Sequence, residues 1–433
     1  MDCVELPRAG RMDEFSPRMY TLYMQGQSKV YARLIRKDLE NSLKKGHSFL
    51  LLGPRQVGKT TLVADLLAGQ SNVMSIPLQD PSLRLSYERD PGLLVRQVKA
   101  AKSFKTVFID EVQKVPELLD AVQLLIDEKK AAFILTGSSA RKLRKAGANL
   151  LPGRVKSYFL DPLSWTEMGW TRESLVSPLA VSGANNHVRY SQDENMVFGS
   201  LPGIVTLEDQ EDRKEFLRSY ASLYLEEEIR AEALSRKIGA FSRFLELAAQ
   251  ESGTSPNFSK LSMEAGVSAP AIREYFNLLQ ETLVVERIDP YLKNARKRIL
   301  SSSRYYFFDS GVRNALARLP LEAATVQAQK GILFEHSVIL EIIRRVRALK
   351  KDYRVCFWRT SAGAEVDCVV DMGSKVIPIE IRASRKVRLG DLKGLVNFLA
   401  EYKTVAKEGY VITMGEAPER LSENILAIPW QDF

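Results

Sequence analysis

One stretch of the sequence has the residue types and spacing needed to hold a chain of phosphates. It is Gly53-Pro-Arg-Gln-Val-Gly-Lys-Thr60, which fills the pattern G-x-x-x-x-G-K-[ST] between an apolar run and a segment with helical spacing. Glycines let backbone N–H groups converge on a polyphosphate at the start of a helix. The lysine then reaches the β and γ phosphates, and the threonine hydroxyl holds Mg²⁺. The alternative is a chance glycine-rich turn. The residues expected to contact nucleotide are Gly53, Pro54, Arg55, Gln56, Val57, Gly58, Lys59, Thr60 and Thr61.

Two adjacent carboxylates follow a second apolar run, Thr106-Val-Phe-Ile-Asp110-Glu111. A buried strand ending there places both side chains at the carboxyl edge of a sheet, where nucleotides bind in open α/β folds. We expect Asp110 to orient Mg²⁺, usually through water, and Glu111 to polarise the attacking water. Acids after an apolar run also occur by chance, but their position downstream of the phosphate loop favours the catalytic interpretation.

A third apolar run, Ala132-Phe-Ile-Leu-Thr-Gly-Ser138, ends in hydroxyl groups. A polar side chain at the tip of a neighbouring strand can contact the γ phosphate or the attacking water. Thr136 and Ser138 both fit, and Ser138 is the preferred candidate. The alternative is a Gly-Ser turn with no chemical role.

A cation is also needed to stabilise charge that develops on the γ phosphate. Arg154, at the start of the expected fifth strand, is the first candidate, and Arg141 is the second. Either could act in its own subunit or in a neighbouring one. A solvated basic face explains the basic residues around Arg141 nearly as well.

The remaining pattern suggests what surrounds these residues. Helical spacing over residues 30–43 leads into the first strand, a polar loop follows at residues 177–195, and residues 213–234 form a long helical segment. Residues 241–290 read as helix, short helix, turn, helix and strand, which is the winged-helix plan. Its third helix has one basic residue, Arg273, and the wing that follows has more of them. A structural or protein-docking role remains the alternative to DNA contact. The wing residues are Lys293, Arg296, Lys297 and Arg298.

The C-terminal part contains acidic residues on an expected hairpin. Asp367 and Glu380 fall on adjacent strands and could share a divalent cation, with Glu335 approaching from a helix. That would be a metal-dependent phosphodiesterase site. The residue two positions after Glu380 is Arg382, where such sites carry a lysine, and arginine cannot act as a base. The pattern therefore favours a structural or nucleic-acid-binding version over an active nuclease.

Composition sets broad limits. The chain has 433 residues and a net charge of +9, which favours an anionic partner such as nucleic acid but also fits solvated lysines. Its three cysteines, Cys3, Cys356 and Cys368, are too few and too scattered for a disulfide framework or a four-ligand zinc site. We find no signal-peptide pattern and no apolar stretch of about 18 residues, so the expected location is the cytoplasm.

Taken together, the ordered motifs resemble the prokaryotic AAA-type ATPases (AAA_14-like) that carry a C-terminal DUF4143-type domain with a restriction-endonuclease-like core. The motifs are the phosphate loop, Phe108-Ile-Asp-Glu-Val-Gln-Lys-Val-Pro116, Leu135-Thr-Gly-Ser-Ser, Pro152-Gly-Arg, Phe308-Asp-Ser-Gly and Gly363-Ala-Glu-Val-Asp. The resemblance implies an ATPase of the additional-strand catalytic-glutamate class, with a winged helix in the middle and a homo-oligomer as one expected assembly. It carries over Lys59, Thr60, Asp110 and Glu111.

We therefore expect an α/β P-loop protein that binds and hydrolyses ATP with Mg²⁺ and couples nucleotide state to DNA or protein binding. The alternatives are an ATP-gated DNA-binding switch and a metal-dependent nuclease. The expected domains are a P-loop ATPase domain at 1–180, a helical lid or bridge at 193–235, a winged helix at 236–292 and a restriction-endonuclease-like domain at 300–433.

Overall fold

The phosphate-loop sequence joins a buried strand to a helix, as predicted. The structure is a computed structural model that describes residues 30–101, 105–139, 153–184, 186–231, 238–292 and 302–433, with side chains in all of these except 223–231 and 238. The strands of the N-terminal part are β1 (Ser48–Leu52), β2 (Val73–Pro77), β3 (Thr106–Asp110), β4 (Ala132–Gly137) and β5 (Val155–Phe159). The helices beside them are α1 (Arg36–Lys44), α2 (Lys59–Leu67), α3 (Pro81–Arg89), α4 (Gly92–Ala100), α5 (Leu118–Asp127) and α6 (Trp165–Met168).

Within the described residues these strands form one five-stranded sheet in the order β2-β3-β4-β1-β5. Every neighbouring pair is parallel. The strand β4 therefore lies between β1, which leads into the phosphate loop, and β3, which ends at Asp110. This inserted strand defines the additional-strand class, so the predicted P-loop fold is confirmed. All strands end at the same edge, which brings the three predicted motifs together.

The sheet is held by apolar residues on strands and flanking helices. All five residues of β3 are buried, which explains why its sequence is a continuous apolar run rather than an alternating one. A buried cluster joins β3 and β4 to the apolar face of α5, which contributes Leu118, Val122 and Leu125. Helix α3 was not predicted; Pro81 begins it, and the Asp80 carboxylate accepts hydrogen bonds from two of its first N–H groups.

The middle of the chain is helical. Its helices are α7 (Gln192–Phe198), α8 (Pro202–Thr206), α9 (Gln210–Ala231), α10 (Ile238–Gln250), α11 (Phe258–Ala265) and α12 (Ala269–Glu281). Helix α12 begins at Ala269, because the Ser268 hydroxyl accepts from the N–H of Ala271. Gly266 ends α11 in the left-handed conformation (φ 70°), which makes the turn between the two helices.

The C-terminal part is built on a second sheet. Its strands are β6 (Val285–Pro290), β7 (Arg304–Phe307), β8 (Arg354–Arg359), β9 (Glu365–Asp371), β10 (Val376–Arg382), β11 (Gly409–Thr413), β12 (Glu419–Ser422) and β13 (Ile425–Pro429). Its helices are α13 (Ser310–Leu316), α14 (Ala323–Leu349), which is kinked at Gln329, and α15 (Lys393–Glu401). Among described residues the sheet has eight strands in the order β12-β13-β11-β10-β9-β8-β6-β7, which confirms a sheet-rich C-terminal domain.

This sheet crosses the boundary predicted between a winged helix and a C-terminal domain. Strand β6 follows α12 directly and pairs antiparallel with β7, as a wing would. It also pairs with β8 through Asp289 and Cys356, so β6 belongs to the C-terminal sheet as well. The winged helix and the domain boundaries remain predictions.

Cys356 and Cys368 are buried free thiols, and Cys3 lies outside the described residues. No helix in the described part of the chain has the length and apolar character needed to cross a membrane.

Candidate nucleotide site

The phosphate loop has the backbone conformation that its glycines permit. Gly58 has φ of 89°, in the left-handed region, and starts α2. Gly53 has a different reason to be glycine: a Cβ there would lie 2.2 Å from the carbonyl oxygen of Leu160, at the end of β5. Any side chain at position 53 would push the loop off the sheet. Gln56 also has positive φ, 63°, and its side chain is exposed.

Lys59 is folded back onto the loop. Its Nζ donates to the carbonyl oxygens of Gly53 at 2.9 Å and Pro54 at 2.8 Å. The side chain is buried, and this desolvation lowers the pKa of Lys59, against the opposing effect of Glu111 and Asp110. The ammonium group therefore has acceptors that a bound phosphate would have to replace.

Asp110 is bound to hydroxyls from two elements. Thr60 Oγ1 lies 3.0 Å from both carboxylate oxygens, and Thr136 Oγ1 donates to Oδ1 at 2.5 Å. Burial raises the pKa of Asp110, and these hydrogen bonds partly oppose the shift. Hydroxyl and carboxylate oxygens are the ligand types that Mg²⁺ takes, so the donor set at Thr60 and Asp110 fits this ion.

Glu111 is held at the same sheet edge. Its backbone has φ of 59°, and its N–H donates to Thr136 Oγ1 at 3.0 Å. Its Oε2 accepts from Ser138 Oγ at 3.1 Å and from the Gln113 amide. The structure thus brings Lys59, Thr60, Asp110, Glu111 and Ser138 to one place. The Gln113 role was missed, because a glutamine two residues after an acidic pair has no recognised pattern.

Thr136 and Ser138 have separate positions. Thr136 contacts Asp110 and the backbone of Glu111, whereas Ser138 contacts the Glu111 carboxylate and accepts from Gln113 Nε2 at 3.0 Å. The preferred candidate for sensing the γ phosphate therefore lies against the expected catalytic glutamate. The other hydroxyl supports the expected metal-binding carboxylate.

Arg33 is a second residue that sequence reasoning missed. Its guanidinium donates to the carbonyl oxygens of Val57 at 2.9 Å and Asp161 at 2.5 Å, and its Nε to Glu167 Oε1 at 3.1 Å. The side chain is buried. It is a cation that fixes the back of the phosphate loop, and an isolated arginine before the first strand gives no sequence signal.

The structure does not bring Arg154 to this site. Arg154 directly precedes β5, which runs parallel to β1, so it lies at the edge of the sheet opposite the phosphate loop. A five-residue strand spans roughly 16 Å. Both of its guanidinium contacts go to the Asp127 carboxylate, at 2.6 and 3.0 Å. The expectation that Arg154 assists in its own subunit is corrected by this placement. Arg141 lies outside the described residues.

A cavity of about 360 Å³ lies between the phosphate loop and the helices that follow the first sheet. Gln56 lines it on the loop side, and the opposite wall combines apolar and acidic side chains. These are Leu207, Asp212, Glu215, Phe216, Ser219 and Tyr220.

The C-terminal acidic residues form a different arrangement from the predicted metal site. The register places Glu380 opposite Asp367, but Arg382 contacts both carboxylates. Glu335 Oε1 accepts from the Tyr306 hydroxyl at 2.9 Å. Among described residues no group of three His, Cys, Asp or Glu side chains is placed to hold a metal ion. The expected site at Glu335, Asp367 and Glu380 is therefore corrected to carboxylates paired with arginine and tyrosine.

The expected DNA-contacting residues are only partly described. Arg273 is exposed on α12, and its guanidinium lies 5.5 Å from the centre of the Phe258 ring. Lys293, Arg296, Lys297 and Arg298 lie outside the described residues.

Comparison with known families agrees with the fold. A family model described as an AAA domain matches residues 45–169, and a domain of unknown function, DUF4143, matches residues 330–433. Between them, a second domain of unknown function, DUF8612, matches residues 189–323. The chain therefore carries an AAA domain followed by a C-terminal DUF4143 domain, which confirms the resemblance inferred from its motifs.

Similar proteins add little on function. An uncharacterized protein of Mycobacterium tuberculosis is 24% identical over 396 residues, covering 90% of this chain and 82% of the relative. An uncharacterized protein of Methanocaldococcus jannaschii is 27% identical over 201 residues, which are 44% of this chain and 43% of that protein. A Walker-type ATPase of Pyrococcus abyssi has a TM-score of 0.45 and 16% identity, covering 67% of this chain and 97% of the other.

Proposed function

We propose that this protein binds ATP with Mg²⁺, hydrolyses it, and uses the nucleotide state to control binding of DNA or protein by its middle and C-terminal parts. The observation that carries the proposal is the junction of three strand ends. Thr60, Asp110, Glu111 and Ser138 meet there through hydrogen bonds of 3.0 to 3.1 Å and the Asp110–Glu111 backbone. These are the groups needed for phosphoryl transfer to water.

Each side chain has a separate task in this mechanism. Lys59 would leave its two backbone acceptors and bind the β and γ phosphates. Mg²⁺, held by Thr60 and through water by Asp110, would neutralise charge on the phosphates. Glu111 would accept a hydrogen bond from the attacking water once its Oε2 is released, and Ser138 would contact the γ phosphate. The cavity beside Gln56 is our proposed place for the nucleoside.

Two substitutions test the proposal. Lys59→Ala should abolish turnover by weakening phosphate binding, and Glu111→Gln should bind ATP while losing hydrolysis. Binding is measured by calorimetry and turnover by phosphate release. Hydrolysis by Glu111→Gln at the parent rate would show that the catalytic assignment is wrong. An absence of MgATP binding by the folded parent protein would reject the whole proposal.

The coupling part of the proposal rests on the path of the chain. Helix α12 leads into β6, and β6 is shared between the pair with β7 and the C-terminal sheet. A change in the position of the C-terminal sheet would therefore be transmitted through β6 to helix α12. Fluorescence anisotropy with duplex DNA, with and without MgATP, tests the DNA arm. If the two titrations coincide, nucleotide does not control DNA binding.

A further inference from the structure

We propose that Arg33 and Arg347 are positioning residues that make nucleotide affinity at the phosphate loop depend on helix α14 of the C-terminal domain. This inference rests on the proposed ATP binding. It concerns four residues that run in contact from the loop to β6, which we call the arginine bridge: Arg33, Asp161, Arg347 and Glu286.

The first part of the bridge is the grip of Arg33 on the phosphate loop. The Val57 carbonyl accepts from Arg33 Nη1 at 2.9 Å, one residue before Gly58. Glu167, itself buried, fixes the guanidinium through Nε, and also accepts from the backbone N–H of Leu34 at 2.8 Å. With this carbonyl held by Arg33, the peptide between Val57 and Gly58 has a fixed orientation. The direction of the Gly58 N–H, a donor expected to face phosphate, is therefore set by Arg33.

A second contact ties the same loop to the segment after β5. The backbone of Leu160 packs so closely on Gly53 that no Cβ fits between them, and the N–H of Leu160 donates to the carbonyl of Leu52 at 2.8 Å. The next residue, Asp161, offers its carbonyl oxygen to Arg33. A shift of residues 160–161 therefore acts on both ends of the phosphate loop.

The second part of the bridge joins this segment to the C-terminal domain. Arg347, near the end of α14, donates to Asp161 Oδ1 at 2.6 Å and to Glu286 Oε2 at 2.7 Å. Its guanidinium also lies 4.1 Å from the centre of the Phe159 ring. Burial alone would lower the pKa of Arg347, but the two carboxylates outweigh it and raise the pKa, so the side chain keeps its charge. One guanidinium thus holds the end of β5 and strand β6 together.

Other side chains of α14 bind the same segment, so a displacement of the helix would displace the segment with it. Arg344 Nη1 donates to the carbonyl of Leu163 at 3.0 Å, and Glu341 Oε2 accepts from the N–H of Trp165 at 2.9 Å. A cavity of about 310 Å³ adjoins the bridge and is lined by Arg33, Asp161 and Arg347. The helix therefore has firm contacts to the segment, and the guanidinium groups have adjacent space in which to rearrange.

Linkage requires the effect to run in both directions. If α14 sets the loop conformation, removing Arg347 weakens nucleotide binding, and nucleotide binding protects α14 and β6. Substitutions in the arginine bridge should change nucleotide affinity and KM rather than kcat, because no bridge residue reaches the groups proposed to act on water. If these residues only stabilised the fold, substituting them would lower the melting temperature without changing KM separately from kcat.

The test compares MgATP binding by calorimetry in the full chain, beginning with the parent protein. We expect Arg33→Met to raise Kd by about 10-fold or more and Arg347→Met by about 5-fold, within the usual range of coupling between sites. The double variant should bind no more weakly than Arg33→Met, because both residues act through one contact. Glu286→Gln and Arg347→Lys should keep the fold. Their Kd values for MgATP are expected to lie between those of the parent protein and Arg347→Met.

Arg172→Met is the matched control. Arg172 also joins the segment after β5 to the C-terminal residues, through Asp432 at 3.4 Å, but this ion pair involves none of the four bridge residues. We expect its Kd to stay within about twofold of the parent value. Suppose that the parent protein binds MgATP, and that Arg347→Met and Glu286→Gln bind it as tightly as the parent does. The arginine bridge is then overturned, while the proposed ATP binding stands. If the parent does not bind MgATP, the proposed function fails first.

Hydrogen exchange gives the reciprocal measurement. Saturating the parent protein with MgATP should slow amide exchange in residues 338–349 and 285–290, and Arg33→Met should remove that protection even at saturation. Unchanged exchange in both segments on nucleotide binding would contradict the proposal.

Discussion

Thr60 Oγ1 lies within hydrogen-bonding distance of both carboxylate oxygens of Asp110, at 3.0 Å each. This relationship joins the first turn of α2 to the end of β3 across the intervening strand β4. It also holds a buried carboxylate whose pKa burial raises. We expect Thr60→Val to raise the Mg²⁺ concentration needed for half-maximal ATPase activity by about 10-fold or more, since a proposed metal ligand is lost.

Thr60→Ser is the control for that change, because it keeps the hydroxyl. The melting temperature in the absence of Mg²⁺ and nucleotide should fall in Thr60→Val and not in Thr60→Ser. Equal Mg²⁺ dependence in the two variants would remove Thr60 from the metal site.

Substitutions at Ser138 and Thr136 should have different effects, the first on activity and the second on stability. Ser138→Ala is expected to lower kcat by about 10- to 100-fold with little change in ATP affinity, because the hydroxyl contacts the proposed catalytic Glu111. Thr136→Val removes a donor from buried Asp110 and should cost about 1–3 kcal/mol of unfolding free energy. Steady-state kinetics and urea unfolding of both variants check this. A reversed pattern would exchange the two roles.

Arg154 provides a test of assembly. Because it pairs with Asp127 at the far edge of the sheet, Arg154→Ala should leave kcat of a dilute monomer within about twofold of the parent, as expected for an exposed ion pair. A loss of activity that appears only at protein concentrations where light scattering detects oligomers would assign the arginine to a neighbouring subunit.

Glu380 should make stability depend on pH. Burial and the nearby Asp367 raise the pKa of Glu380 to about 8, above its unfolded value, although Arg382 opposes the shift, so the folded protein holds an extra proton between the two pKa values. This contribution is present below the unfolded pKa and is lost as the pH rises through the folded pKa. We expect the melting temperature to fall between pH 5 and pH 8 and the fall to be smaller in Glu380→Gln. An equal dependence of the melting temperature on pH in the two proteins would be evidence against the raised pKa of Glu380.

A buried ion pair within α14 lies beside the segment after β5. Arg345 Nε donates to Glu341 Oε1 at 2.8 Å, and Glu341 also binds the N–H of Trp165. Glu341→Ala should cost about 3–5 kcal/mol of unfolding free energy, because it leaves Arg345 buried without its partner. Combining Glu341→Leu with Arg345→Met removes both charges and should recover much of that loss, since apolar side chains of similar size then fill the space. Urea unfolding of the single and double variants measures the difference.

Sequence reasoning predicted the position of an element correctly where that position depends on local order. The phosphate loop and the pair Asp110-Glu111 each lie within one strand-to-loop junction, and a parallel sheet brings such junctions to one edge. Arg154 was misplaced for a related reason: a residue before a parallel strand lies at the opposite edge from one that follows it. Arg33 and Arg347 could not be predicted, because their partners are distant in sequence and single arginines have no pattern.

The second sheet shows the same limit. The segment that forms β6 was predicted as extended, but its parallel pairing with β8 spans the whole of α13 and α14. No local signal specifies a pairing over that distance.

The position of β6 in the C-terminal sheet decides where the protein can be divided. A fragment starting at residue 300 would keep β7 without the strand it pairs with and would leave the edge of β8 open, and such unpaired edges promote aggregation. Cutting ahead of α10 instead would keep both pairs intact. The smallest soluble C-terminal piece is therefore expected to begin ahead of β6 rather than at residue 300.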